Sequence, residues 1–318
     1  MSEKMKVLIG YDGSECADAA LDDLKRAGLP READCLVVSV ADVFVPPPIQ
    51  ESDEIFPPYV PAGIKRAHEH AAREVGRARE LAKTAKTKLS KLFPSWEIRS
   101  EACGDSPAWA LIKRAWKWKP NLVVVGSHGH SALGGRLILG SVSLRVLYEA
   151  ETSVRVARGS AKDEDSPIRI LIGVDGSTNS QACLDHVAQR SWPRGTEIRL
   201  LAALDTVFTI SNVPKKPAFE KWFEVSNEND LILLWQALEP LADKLRSNGL
   251  TVSVELKKGD PKQLLIEEAE NWSADSIFVG AKGIRGIDRL MLGSVSAAVA
   301  ARAPCSVEVI RSAHTAES

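Results

Sequence analysis

The stretch VLIGYDGS, Val7–Ser14, recurs later in the chain as ILIGVDGS, Ile170–Ser177. Each copy is a short apolar run, typical of a central strand covered on both faces, followed by a polar turn. Two more pairs of motifs recur in the same order and at nearly the same offset: LVVVGSHG (Leu122–Gly129) with SIFVGAKG (Ser276–Gly283), and LILGSVS (Leu137–Ser143) with LMLGSVS (Leu290–Ser296). Three motifs in register indicate a duplicated unit of domain size.

The repeats divide the chain into two domains, residues 1–160 and 166–318. A chain of 318 residues suits two domains of ordinary size. The boundary falls in the stretch Gly159–Pro167, which is polar, charged and rich in small residues. Such a composition is typical of a short linker.

Strands and helices alternate within each copy, which predicts an α/β fold with a mainly parallel sheet. A helix follows the first strand, and Ser14 and Ser177 stand where a capping residue belongs. Longer helices are predicted over roughly Lys65–Leu92 and Asn229–Ser247. The remaining strands are predicted at Cys35–Val40, Trp96–Ala102, Leu122–Val125 and Val154–Ala157, and in the second copy at Glu197–Ala203, Thr251–Leu256, Ile277–Val279 and Val307–Ile310.

A glycine-rich loop follows the fourth strand of each copy, and a second glycine with serine opens the next helix. Copy two reads Gly280-Ala-Lys-Gly283, nine further residues and Gly293-Ser294-Val295-Ser296, whereas copy one reads Gly126-Ser-His-Gly129, ten further residues and Gly140-Ser141-Val142-Ser143. Glycines let backbone N–H groups approach an anion, and the free N–H groups of a helix start favour phosphate. Tight turns alone would also need glycines, but the repeated Gly-Ser favours a phosphate site.

These motifs resemble the universal stress protein family over nearly the whole chain, as two tandem domains. Copy two matches that family's nucleotide signature, Gly-x2-Gly-x9-Gly-Ser, and the Asp-Gly-Ser turns after the first strands also fit. The resemblance implies two tandem open five-stranded, mainly parallel sheets with helices on both faces, in a Rossmann-like arrangement. It also implies an ATP site, with or without magnesium, where the strand order reverses.

The family's nucleotide contacts carry over onto matching residues. The resemblance places Asp12 and Asp175 near the adenosine half and gives the backbone of Val40 and Ala203 to the adenine. It lines the path from ribose to phosphate with Gly126 and Gly129 or Gly280 and Gly283, and it assigns the phosphates to Gly140, Ser141, Val142 and Ser143 or Gly293, Ser294, Val295 and Ser296. The extra residue in copy one, expected at Gly134-Gly135, makes copy two the better match.

Composition argues against other partners. Lys and Arg number 41 against 42 Asp and Glu, so no overall charge attracts nucleic acid or an anionic membrane. No apolar run is long enough to span a bilayer. The basic stretch Lys65–Lys91 lacks aromatic residues and is better explained as a solvated helix face. The five cysteines form no CxxC pair and no secretory signal precedes the first strand, so we expect a reduced, cytoplasmic protein.

Other side chains leave alternatives open. His128 and His130 lack a third local ligand, so no metal site is predicted, and they are either donors near a phosphate or solvated loop residues. Cys183 is expected to be a buried packing thiol. The stretch Val45–Gly63, with six prolines, is predicted to be neither strand nor helix, and it forms either a lid over the site or a stiff surface loop.

The expected role is stress-linked regulation, in which a bound adenine nucleotide changes conformation or partner binding. Two alternatives remain, a slow ATP hydrolase and an interaction module with vestigial nucleotide sites. No GxxxxGK[ST] motif is present, so we expect no enzymatic activity beyond slow hydrolysis. As in the family, the terminal strands Val154–Ala157 and Val307–Ile310 are expected to pair within the chain, and a further homodimer stays open.

Overall fold

A computed structural model describes residues 4–45, 62–129, 139–159, 166–204, 238–283 and 292–311. The predicted insertion at Gly134-Gly135, most of the linker, residues 46–61 of the proline-rich stretch and residues 229–237 lie outside these ranges. The first half contains strands β1 (Met5–Gly10), β2 (Ala33–Ala41), β3 (Glu97–Gly104), β4 (Leu122–Gly126) and β5 (Ser153–Ala157), and helices α1 (Glu15–Asp23), α2 (Ala62–Leu92), α3 (Pro107–Trp118) and α4 (Ser141–Glu149).

The second half repeats this order. Its strands are β6 (Arg169–Val174), β7 (Glu197–Leu204), β8 (Thr251–Lys258), β9 (Ser276–Gly280) and β10 (Ser306–Ile310). Its helices are α5 (Thr178–Ala188), α6, whose described part is residues 238–246, α7 (Pro261–Asn271) and α8 (Ser294–Arg302). Every strand predicted from the sequence is present, with ends that differ by at most two residues.

The strands form a sheet in the order β3-β2-β1-β4-β5-β10-β9-β6-β7-β8. Neighbouring strands are parallel within each half, and β5 pairs antiparallel with β10. The predicted α/β class is confirmed. The two five-stranded units are joined edge to edge, because β5 and β10 would otherwise each present an unpaired edge.

Local sequence explains where the helices begin. The hydroxyl of Ser14 accepts a hydrogen bond from the N–H of Ala17, and that of Ser177 accepts one from Ser180, as predicted for capping residues. One prediction was wrong in detail. Helix α2 begins at Ala62 rather than Lys65, so the last two residues of the proline-rich stretch, which was predicted to be neither strand nor helix, are helical.

The apolar core has one shared part and two separate parts. On one face of the sheet, Val123 and Val125 of β4 belong to the same buried cluster as Ile277 and Val279 of β9. On the other face each half has its own cluster. Cys183 is fully buried in the cluster of the second half, and burial raises the pKa of its thiol well above the ordinary value, as expected of a packing residue.

Helix α2 covers the outer face of the first half with small residues. Its buried positions are Ala71, Ala78, Ala82, Ala85 and Leu89. Its basic side chains lie mainly on the exposed side, which agrees with a solvated helix face. Among the described helices, none is both long and apolar enough to cross a membrane.

The two halves also meet at a turn that contains Gly28. This glycine has a φ of +62°, and its carbonyl accepts a hydrogen bond of 3.0 Å from the N–H of Ser191 in the other half. A Cβ atom on Gly28 would lie 2.6 Å from the ring of Trp192. Both the backbone conformation and the contact with Trp192 therefore require glycine here.

Replacing Gly28 tests this contact between the halves. Gly249 is the matched control, since it has a φ of +78° but no atom within 4 Å of an added Cβ. We expect Gly249→Ala to lower the free energy of unfolding by about 1–2 kcal/mol, the cost of alanine in the left-handed region. Gly28→Ala should lose a further ~1–3 kcal/mol through overpacking. Urea denaturation measures both, and equal losses would contradict the predicted contact.

Candidate functional site

The glycine-rich loops lie against the Asp-Gly-Ser turns at the carboxyl edge of the sheet. Strand β1 lies between β2 and β4 in the first half, so the ends of β1 and β4 are adjacent. A Cβ atom on Gly129 would lie 2.7 Å from Oδ2 of Asp12, and one on Gly283 would lie 2.5 Å from Oδ2 of Asp175. In both halves, the carboxylate after the first strand therefore approaches the last glycine of the loop more closely than any side chain would allow.

The aspartates also fix the shape of their own turns. Oδ1 of Asp12 accepts hydrogen bonds from the N–H and the hydroxyl of Ser14, at 3.0 and 2.6 Å. Oδ1 of Asp175 accepts one from the N–H of Ser177 at 3.0 Å. The intervening Gly13 has a φ of +80°, a conformation that side chains rarely adopt. These turns hold the Oδ2 atoms toward the glycine-rich loops.

Val40 and Ala203 lie one residue before the ends of β2 and β7. The carbonyl of Val38 accepts a hydrogen bond from the N–H of Tyr11, which is the residue directly after β1. Strand β1, the neighbour of β2, therefore ends before it reaches the level of Val40. Hydrogen-bonding direction alternates along a strand, so the polar groups of Val40 face the same side as those of Val38. Its backbone therefore faces the space beyond the end of β1, where the resemblance expects the adenine.

A cleft of about 310 Å³ opens beside the end of β2. It is lined by Asp42, Val43, Phe44, Val45, Gly104, Asp105 and Ser106. It lies between the ends of β2 and β3 rather than at the glycine-rich loop, so it neighbours the expected adenine position and not the expected phosphate position. Phe44 is 80% exposed there, although residues 46–61 that follow it lie outside the described ranges.

Helices α4 and α8 begin directly against the glycine-rich loops. The N–H of Gly140 donates to the carbonyl of Ser127 at 2.8 Å, and the N–H of Gly293 donates to the carbonyl of Ala281 at 2.7 Å. Neither helix has a side-chain capping bond, and neither does α3, whereas α1, α5 and α7 each have one. The N–H groups of the first helical residues have no partner within the helix and can bind an anion.

The serines of these helix starts divide into two kinds. Ser143 and Ser296 are buried, and their hydroxyls bond backbone carbonyls. That of Ser143 donates to Gly126 at 2.6 Å, and that of Ser296 lies 3.0 Å from the carbonyls of both Ala281 in the loop and Gly293 at the helix start. Ser141 and Ser294, at the first helical position, are exposed. A hydroxyl has one proton to donate, so the buried pair position the loop, and the exposed pair are better placed to contact a ligand.

The third residue of each loop carries a buried polar atom. Neither Nε2 of His128 nor Nζ of Lys282 has a hydrogen-bond partner among the described residues. The other ring nitrogen of His128 lies 3.1 Å from the hydroxyl of Ser127. A buried cation or donor without a partner is costly unless a ligand or another group meets it. Residues 130–138 and 284–291, with His130 and the further loop cations, lie outside the described ranges.

Asn179 is a structural residue that sequence reasoning missed. The side-chain amide of Asn179 donates to the carbonyl of Lys282 at 3.1 Å. A Cβ atom on Gly280 would lie 2.6 Å from the Cβ of Asn179. Asn179 therefore ties the first turn of α5 to the glycine-rich loop. The stretch Asp175–Asn179 carried the only available signal, an asparagine two residues after the capping serine. Within the described ranges, no three His, Cys, Asp or Glu side chains are grouped to hold a metal ion.

A family model for universal stress proteins matches the chain twice, at residues 4–158 and 168–311. The chain belongs to the universal stress protein family. A universal stress protein of Mycolicibacterium smegmatis is 30% identical over 307 residues, covering 96% of each chain. One of Mycobacterium tuberculosis is 28% identical over 312 residues, covering 95% of this chain and 96% of that protein.

Solved structures show the same fold. A universal stress protein from Archaeoglobus fulgidus covers 96% of this chain and 96% of its own, with a TM-score of 0.59 at 20% sequence identity. In the chain described here, the Asp-Gly-Ser turn, the glycine-rich loop and the start of the next helix meet in each half, as the sequence predicts. The nucleotide contacts assigned to these residues stay predictions.

The two kinds of serine predict different effects on folding. We expect Ser296→Ala to lower the free energy of unfolding by about 1 kcal/mol, because its buried hydroxyl bonds the loop. Ser294→Ala should change it by less than about 0.5 kcal/mol, since the residue is exposed. Urea denaturation of the two variants compares the same chemical change at two positions in the first turn of α8. Equal losses would show that the hydroxyl of Ser296 does not hold the loop.

Proposed function

We propose that this universal stress protein binds ATP, with or without magnesium, at the carboxyl edge of its sheet. The observation that carries the proposal is the pair of helix starts, α4 and α8, which lack side-chain caps and are tied by glycine N–H groups to the glycine-rich loops. Such an arrangement directs several free backbone donors and the positive end of a helix dipole toward one point. A phosphate group fits that donor set.

The residues present fit the nucleotide from one end to the other. The N–H groups of Ser294, Val295 and Ser296, with the hydroxyl of Ser294, would receive the phosphates, and Lys282 would add positive charge. Gly280 and Gly283 hold the loop close to Asn179 and Asp175, and their backbone would line the path from ribose to phosphate, with Asp175 on the adenosine side. The backbone of Ala203 would meet the adenine. Gly126, Gly129, Gly140, Ser141, Val142 and Ser143, with Asp12 and Val40, offer the same arrangement in the first half.

The role that follows is regulatory. A ligand held between the turn after the first strand and the start of the last helix would stabilise the conformation in which these elements meet, and so change which partners bind. The carboxylates of Asp12 and Asp175 already accept hydrogen bonds from their own turns, so neither is an obvious base for hydrolysis. We therefore expect ATP to be retained rather than turned over, and single-turnover assays with labelled ATP distinguish these outcomes.

Isothermal titration tests the binding site. On protein stripped of bound nucleotide, we expect ATP to bind, and we expect Ser294→Ala to weaken the affinity roughly tenfold through loss of a hydrogen bond to a charged phosphate. Ser247→Ala is the control, because Ser247 lies before the amino end of β8, whereas the expected site lies at the carboxyl ends of the strands. The same loss in both variants, or no heat with ATP, would contradict the proposal.

A further inference from the structure

The two halves of the chain meet about a local two-fold axis. Val154–Val156 of β5 and Val307–Val309 of β10 are equivalent in the two repeats, with sequences Val-Arg-Val and Val-Glu-Val. In the antiparallel pairing Val154 faces Val309, Arg155 faces Glu308, and Val156 faces Val307. The first residue of each triplet thus faces the last residue of the other, and the two central residues face each other. The axis that relates the halves therefore passes between Arg155 and Glu308.

A residue on such an axis would face its own copy in a pair of like halves. Two first halves joined through β5 would oppose Arg155 to Arg155, and two second halves would oppose Glu308 to Glu308. The side chains of Arg155 and Glu308 are 1% and 0% exposed. Like charges directly opposite each other are unfavourable in a sheet, and more so when both are buried.

The pairing of unlike halves instead joins opposite charges. Nη1 of Arg155 donates to Oε2 of Glu308 at 3.3 Å. Nε of Arg155 donates to Oδ2 of Asp23 at 2.7 Å, and Arg190 donates to the other oxygen of Glu308. Burial alone would lower the pKa of the Arg155 guanidinium, but Asp23 and Glu308 hold it above its ordinary value. Asp23, Arg155, Glu308 and Arg190 thus form a row of contacting side chains whose charges alternate in sign.

The outer members of this network are also unlike between the repeats. Asp23 is on α1, and the equivalent position on α5 is His186, whereas Arg190 corresponds to Ala27. The first half therefore places a carboxylate behind its strand arginine, and the second half places an arginine behind its strand glutamate. Each half supplies two neighbouring members of this row of alternating charges, and only the unlike half supplies the other two. Arg190 also donates to the carbonyl of Ala27 at 2.7 Å, which brings the network to the Gly28 turn.

We propose that this buried row of alternating charges selects the partner of each half. Strand β5 pairs with β10 of a second half and does not pair with β5 of another copy. The apolar residues on either side of the axis, valine in both repeats, fit any pairing equally well. The axis position and its two supporting charges distinguish unlike from like halves at the strand pair itself, and the ion pair of Arg26 with Asp275 joins the same unlike halves beside it. The duplicated chain therefore closes on itself, and its strand edges are protected from like copies.

Charge reversal in full-length chains tests the proposal. Arg155→Glu leaves two carboxylates at the axis, and Glu308→Arg leaves two guanidinium groups. Neither variant can form a complementary pair with itself, so neither should give a dimer alone. When the two are unfolded together and refolded as a mixture, the first half of the Glu308→Arg chain and the second half of the Arg155→Glu chain restore the original pair. We expect a heterodimer of twice the chain mass.

Native mass spectrometry with one chain isotopically labelled identifies that species, because the label separates the heterodimer from either homodimer by mass. A homodimer from either variant alone, or a refolded mixture without the heterodimer, would overturn the proposal. A neutral cycle decides the matter if the reversal variants do not refold. Arg155→Met should shift the urea midpoint less in a Glu308→Gln background than in the original chain, because the opposing charge is already gone. Shifts that simply add would show that the two residues do not interact, and would equally overturn it.

Discussion

The loop after β4 approaches the turn after β1 so closely that no side chain fits between them. Gly129 faces Oδ2 of Asp12, and Gly283 faces Oδ2 of Asp175, in both cases within the distance that a Cβ atom would need. This contact sets the position of the following helix, since Gly140 and Gly293 bond to the same loops. The backbone donors at the starts of α4 and α8, on which the proposed nucleotide binding depends, are in place because the glycines allow it.

Much of this arrangement was predictable from the sequence because it depends on local patterns. Short apolar runs before Asp-Gly-Ser identify the first strands, and serines at the right spacing identify the helix caps. The rule that ligands bind where the strand order reverses then brings Asp12 and Gly129 to the same edge. The division of the serines was not predictable, because whether Ser143 or Ser141 points inward depends on the helix entry angle, which tertiary packing sets.

Contacts between the halves were less accessible to sequence reasoning. Arg155 and Glu308 are far apart in the chain, and a charged residue within an apolar strand gives no sign of its partner. The same holds for Gly28, whose need for glycine depends on Trp192 in the other half. The duplication itself supplied one useful signal, since Val-Arg-Val and Val-Glu-Val differ only in the sign of the central charge. The two copies thus share one arrangement of turn, loop and helix start, while the junction between them is asymmetric.

The protein is proposed to hold an adenine nucleotide at the carboxyl edge of its sheet. Mass spectrometry of small molecules released by denaturing freshly purified protein tests it most directly, and it also counts the occupied sites per chain. We predict that ATP is released from the original chain and that its amount falls in Ser294→Ala but not in Ser247→Ala. Protein that releases no adenine nucleotide, and that takes up none when ATP is added, would contradict the account.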